Sequence, residues 1–171
     1  MKRVPPPTTT TTTTKTVPRI EAIVVITTTT TTTTMSWMRR VLTHGNVIAL
    51  NGGHSRKWCS DDGWWRVRCN RDWIKSWEMY TVFDASQFGA GKIALRGGNT
   101  GKMCADEFAG VVCNRDWILQ WEAFTPENLG QNMIALKGGQ NGMYCADEFH
   151  RLVCNRHVRS TWETFELSLV R

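Results

Sequence analysis

One unit of about forty residues occurs three times in this chain, and no other feature restricts its fold as strongly. The segments NVIALNGG (46–53), KIALRGG (92–98) and MIALKGG (133–139) each end in Gly-Gly. Their isoleucines, Ile48, Ile93 and Ile134, stand 45 and 41 residues apart. Eleven residues after each comes a cysteine: Cys59, Cys104 and Cys145. A second cysteine opens the tripeptide Cys-Asn-Arg at Cys69, Cys113 and Cys154. Each unit closes on Trp-Glu with an aromatic two residues on: Trp77-Glu78 with Tyr80, Trp121-Glu122 with Phe124, and Trp162-Glu163 with Phe165.

Each unit reads as four short strands. The first is Ile-Ala-Leu, ended by a Gly-Gly pair that is expected to let the backbone turn at positive φ. The second lies around the first cysteine, and the third, rich in β-branched residues, runs into Cys-Asn-Arg, so the two predict a hairpin. The fourth is expected to carry Trp-Glu-x-aromatic, with Trp77, Trp121 and Trp162 on the core face together with the aromatic. Helical periodicity is absent, and turn residues recur every eight to twelve positions, as in an all-β barrel or sandwich.

Three such units are too few for a β-propeller, which typically needs about four to eight blades. They fit a β-trefoil of twelve strands in three internal repeats, here about residues 46–84, 91–125 and 132–166. The pattern Ile-Ala-Leu-x-Gly-Gly, Cys-Ala-Asp-Glu, Val-Cys-Asn-Arg-Asp and Trp-Glu-x-Phe resembles the fascin-like, actin-crosslinking group of β-trefoils over about residues 46–166. The resemblance implies actin filaments as partner and a cytoskeleton-associated location. β-Trefoils with similar cores also serve as carbohydrate-binding lectins, so glycans are the competing partner.

The paired cysteines do not suit a metal. They are separated by nine intervening residues in the first unit and eight in the others, unlike the two to four between the ligands of a zinc knuckle, and His44, His54, His150 and His157 do not recur in register. Two readings of the cysteines remain: three hairpin disulfides, or six reduced core thiols, since cysteine is often buried when free. The absence of a credible secretion signal favours reduced thiols and a cytoplasmic protein. Asp61, Asp106 and Asp147, the acids that follow them (Asp62, Glu107 and Glu148), Arg71, Arg115 and Arg156, and Glu78, Glu122 and Glu163 are expected to form ion pairs that link the elements of each unit. A catalytic site is normally singular, and these groups come in triplicate. No nucleophile–base pair or phosphate loop stands out, so a non-enzymatic module without cofactor is expected.

Positions that break the threefold pattern are freer to serve binding. Asp72-Trp73 and Asp116-Trp117 follow Asn-Arg in the first two units, where the third has His157-Val158. The loops after Gly-Gly differ too, offering Asn99 in the second unit and Asn141 in the third. Trp73 and Trp117, with Asn99 and Asn141, are therefore the candidate ligand residues, an exposed indole beside amides being suited to a sugar ring.

Residues 1–34 hold uninterrupted threonine runs at 8–14 and 27–34 and are expected to be a disordered tail, since a homopolymer has no apolar face to bury. The β-trefoil is expected over 35–171. The net charge of +6 divides evenly, with +3 in the tail and +3 from 17 Lys/Arg against 14 Asp/Glu beyond it. Beyond the tail the signs are interspersed, so nucleic acid is not an expected partner. The best candidate for an apolar span, Ile20–Ile26, is seven residues long and interrupted by Glu21, far short of the roughly 20 residues that span a bilayer, so no membrane role is expected.

Overall fold

A computed structural model describes residues 37–62, 66–148 and 150–171. The threonine-rich tail lies outside the described residues, and the compact unit is Trp37–Arg171. A helical turn, α1 (Trp37–Val41), precedes twelve strands. In the first repeat these are β1 (Val47–Gly52), β2 (Trp58–Ser60), β3 (Arg68–Arg71) and β4 (Tyr80–Asp84). The second holds β5 (Ile93–Gly97), β6 (Met103–Glu107), β7 (Gly110–Arg115) and β8 (Thr125–Gly130). The third holds β9 (Met133–Lys137), β10 (Tyr144–Glu148), β11 (Arg151–Arg156) and β12 (Phe165–Leu169).

The first and fourth strands of each repeat close a six-stranded barrel. β1 pairs with β4 and β12, β4 with β5, β8 with β9, and β9 with β12. The remaining gap is bridged by Ile93 and Phe124, which exchange both backbone hydrogen bonds at 2.8 and 2.9 Å. The second and third strands form three hairpins that cap one end. There the Val67 N–H donates to Val111 O at 2.8 Å and the Leu152 N–H to Val67 O at 2.7 Å, joining the hairpins to each other. The architecture is a β-trefoil, as the triple repeat predicts.

Period-two alternation sends the same side chains inward from each repeat. Ile48 and Leu50, Ile93 and Leu95, and Ile134 and Leu136 fill the barrel with Tyr80, Phe124 and Phe165. Each such side chain, fully buried, contributes about 1.5–3 kcal/mol relative to exposure.

Three expectations need correction. The six cysteines are not free: Cys59–Cys69, Cys104–Cys113 and Cys145–Cys154 are disulfides. In each hairpin a register shift just before the first cysteine sets it directly opposite its partner. The first hairpin absorbs its extra residue in the longer loop between Ser60 and Arg68.

Trp77, Trp121 and Trp162 do not plug the core. The Trp-Glu step is a turn rather than a strand, a 3₁₀ turn at Ser76–Glu78 and Gln120–Glu122. That geometry turns the tryptophans outward and buries Glu78, Glu122 and Glu163.

The Gly-Gly pairs are not at positive φ; among the described residues that conformation falls on other glycines and on Arg56, Gln131 and Asn132. Their role is close approach. A Cβ on Gly52, Gly97 or Gly138 would lie 2.0–2.2 Å from a carboxylate oxygen of Asp147, Asp61 or Asp106. A Cβ on Gly53, Gly98 or Gly139 would lie 1.9–2.0 Å from a backbone oxygen of Thr161, Ser76 or Gln120.

Candidate functional site

Those glycines expose the internal logic of the repeat. Asp61, Asp106 and Asp147 are buried, and each reaches not its own repeat's arginine but the loop of the following repeat. Asp61 Oδ2 accepts from Thr100 N–H at 2.8 Å and from Thr100 Oγ1 at 2.6 Å. Asp106 Oδ2 accepts from Gln140 N–H at 3.2 Å, and Asp147 Oδ2 from Ser55 N–H at 2.7 Å. The three carboxylates thus latch repeat to repeat in a closed ring. Asp106 has the longest of these bonds, and burial pushes its carboxyl up to about 6 against the opposing effect of the Gln140 and Asn141 backbone amides.

The within-repeat ion pairs expected from the sequence are present and use the next acid. Asp62 accepts from Arg68 Nη2 at 2.7 Å and Arg71 Nη2 at 3.0 Å. Burial acts to raise Asp62, but hydrogen bonds from Ser60, Arg71 and Arg68 outweigh it and leave the carboxyl below its ordinary value. Glu107 pairs with Arg115 at 2.8 Å, and Glu148 with Arg156 at 2.8 Å.

The same arginines reach the buried turn glutamates. Their Nε atoms stand 3.7, 4.0 and 3.7 Å from Glu78, Glu122 and Glu163. Each glutamate also accepts a backbone N–H three residues upstream, from Lys75, Leu119 or Ser160, at 2.6–2.8 Å. Each guanidinium lies 5.5–5.9 Å from the ring centroid of its repeat's tryptophan, Trp77, Trp121 or Trp162, within cation–π range. Asp, Glu, Arg and Trp in the triplicate motif are therefore joints of the scaffold. Among the described residues no cluster of histidine, cysteine and carboxylate suits a metal.

On this scaffold stand the symmetry-breaking residues. Trp73 and Trp117 are 75% and 78% exposed, a large apolar presentation for side chains of this size. Each follows an aspartate that pairs with a lysine from the start of the neighbouring strand: Asp72 with Lys57, and Asp116 with Lys102. The third repeat lacks every member of this group, with Met143, His157 and Val158 in their places.

In the first repeat Trp73 and the half-exposed Trp77 line a cleft of about 390 Å³, together with Asn70, Asp72, Lys75 and Ser76. Trp117 and the half-exposed Trp121 hold the equivalent sequence positions in the second repeat. Asn99 is exposed on the loop packed against Ser76–Glu78 but does not line the cleft. Asn141 spends its amide locally: Nδ2 donates to Cys154 O at 3.1 Å, and Oδ1 accepts from Met143 N–H at 2.8 Å. Sequence reasoning missed Lys57, Lys102 and Lys75. The lysine–aspartate pairing was legible as a joint change in the third repeat, where both partners disappear.

No protein-family model matches the chain. No curated protein matches it either. Solved structures resemble it in fold. ThreeFoil, a designed threefold-symmetric protein, is similar at a TM-score of 0.61 and 14% identity, over 71% of this chain and 96% of its own. SeviL, solved bound to asialo-GM1 saccharide, is similar at 0.60 and 10%, over 74% of this chain and 99% of its own. The SDF2-like protein from Arabidopsis thaliana is similar at 0.60 and 13%, over 73% of this chain and 93% of its own. At these identities the likeness shows the β-trefoil fold alone.

Proposed function

We propose that the chain is a non-enzymatic, lectin-like β-trefoil that binds glycans through the tryptophan loops of its first two repeats. The observation that carries this reading is the pair of nearly bare indoles, Trp73 and Trp117, at equivalent positions of two repeats, each following the aspartate of a lysine–aspartate pair, with the half-exposed Trp77 sharing the cleft of Trp73. A broad apolar face flanked by oriented polar groups suits a ring that is apolar on its faces and rich in hydroxyls at its edge. The cleft at Trp73, at about 390 Å³, falls within the size range of small-ligand sites. Two like sites on one rigid body also favour multivalent glycans over free sugars.

SeviL, which shares the fold, was solved with a saccharide, and this supports the reading without supplying residues. Three disulfides favour an oxidising compartment, which we propose in place of the cytoplasm.

The test is a glycan array with the whole chain and with Trp73→Ala, Trp117→Ala and the double variant. Each single variant should weaken multivalent binding, and the double variant should abolish it. Full signal from the double variant would sink the proposal. A second reading, actin-filament binding by a fascin-like domain, draws on the resemblance of the Cys-Ala-Asp-Glu and Val-Cys-Asn-Arg-Asp motifs. Co-sedimentation with actin filaments across a salt series tests it, since attachment through the chain's modest positive charge weakens as salt rises. Absence of pelleting at low salt excludes it.

A further inference from the structure

The tryptophan sites of the first two repeats share a frame but not a charge, and the difference assigns a ligand class to one of them. Around Trp73 and Trp77 stand the cations Lys57, Arg71 and Lys75 and the carboxylates Asp62, Asp72 and Glu78, with Arg68 on the far side of Asp62 lining a separate cleft. Three of the cations are committed: Lys57 to Asp72, Arg68 to Asp62, and Arg71 to Asp62, Glu78 and the Trp77 ring. Lys75 is exposed and lines the cleft, and no described carboxylate lies within ion-pair distance of its ammonium.

The equivalent place in the second repeat has no lysine in the position of Lys75. Lys102 and Arg115 face Asp116, Glu107 and Glu122; Val112 replaces Arg68, and the exposed Leu119 replaces Lys75. The third repeat has Ser160 there and no exposed tryptophan. One uncommitted cation beside two aromatic walls is thus unique to the first repeat.

We propose that the Trp73 cleft takes a saccharide bearing an anionic group, with the rings of Trp73 and Trp77 against the sugar and Lys75 Nζ paired with the acid. The Trp117 site, with Leu119 in place of that lysine, takes neutral saccharides. This rests on the glycan-binding reading above and adds to it the charge of the ligand. An ammonium is a point charge without the planar fork of a guanidinium, so it accepts carboxylate and sulfate alike.

The experiment sets neutral, sialylated, uronic-acid and sulfated glycans on one array. The whole chain is compared with Lys75→Leu, which copies the second repeat, and Leu119→Lys, which copies the first. Both positions are exposed, and matched thermal midpoints verify that the variants fold. The whole chain should favour anionic over neutral glycans by about 1.5-fold to fivefold at low salt, the range a solvent-exposed ion pair supplies. Lys75→Leu should remove that preference while leaving neutral binding intact, and Leu119→Lys should raise anionic binding by a similar factor. Comparison of the sialylated, uronic and sulfated arms identifies the source of the charge. An anionic-to-neutral ratio unmoved by Lys75→Leu overturns this inference and leaves glycan binding standing. No glycan signal from any form of the chain overturns both.

Discussion

Replacing Asp106 with asparagine isolates the electrostatic term in the ring of latches. Asp106 is 1% exposed, and its Oδ2 meets the Gln140 N–H at 3.2 Å. Burial raises its carboxyl from 3.8 to about 6, so between those values the folded chain binds a proton that the unfolded chain has released. Stability attributable to this group is therefore greatest at low pH and falls as pH rises from about 4 through about 6. At 1.36 kcal/mol per pH unit, the two-unit gap amounts to about 3 kcal/mol.

Asparagine keeps the shape and one acceptor but has no charge at any pH. The loss of one hydrogen-bond acceptor is a constant offset of about 1 kcal/mol. The stability of Asp106→Asn minus that of the parent chain should thus rise by about 3 kcal/mol between pH 4 and pH 7. Carboxylates common to both proteins, Asp62 and Glu127 among them, cancel in the difference. Urea denaturation followed by tryptophan fluorescence at four pH values measures it. A difference that stays flat across the window, or falls with pH, refutes the account of a charge held against burial.

Three further expectations follow from the packing. Tyr80 occupies the place of Phe124 and Phe165, with its hydroxyl buried and without a hydrogen-bond partner, so Tyr80→Phe should stabilise the chain by about 1–3 kcal/mol in the same denaturation assay. Gly98→Ala would set a Cβ 1.9 Å from Ser76 O and should cost about 3 kcal/mol or more, whereas Gly101→Ala, at φ 67° with open space around it, should cost about 1 kcal/mol. Reduction should remove about 2–3 kcal/mol for each disulfide, given loops closed over 9 or 10 residues. Intact mass of the native protein should show a deficit of six hydrogens, and a thermal midpoint unaffected by reductant would count against the bridges.

The repeat made the fold legible because register is a strong constraint. Three Ile-Ala-Leu strands and three buried aromatics in phase leave few closed arrangements besides a trefoil. Side-chain direction at the Trp-Glu step was not legible. Alternation assumes a continuous strand, and a 3₁₀ turn of three residues reverses which neighbour is buried, so the charged residue goes in and the indole goes out. The Gly-Gly pairs misled for a related reason. Glycine signals either positive φ or close approach, and only the position of Asp61, Asp106 and Asp147 in a neighbouring repeat separates the two. The cysteine pairs were legible as candidates for bridging across each hairpin, and the reduced reading went wrong because it was argued from the missing secretion signal rather than from geometry. Of the site, Trp73 and Trp117 were legible as departures from symmetry. Lys75 was not, because its significance lies in the carboxylates that its neighbours already occupy.

The third repeat separates what the scaffold requires from what it merely carries. It keeps Gly138-Gly139, the buried Asp147 and Glu163, the Arg156–Trp162 contact and the Cys145–Cys154 bridge, and it completes the same barrel and cap. It does so with Met143, His157 and Val158 where the other repeats have lysine, aspartate and tryptophan. Folding of a repeat therefore does not need that trio. An indole three-quarters exposed gains little from burial, and a surface lysine–aspartate pair contributes about 1 kcal/mol at most. Stability thus gives the first two repeats little reason to hold all three residues together. A surface that meets a ligand does, because the ion pair fixes the loop on which the indole stands.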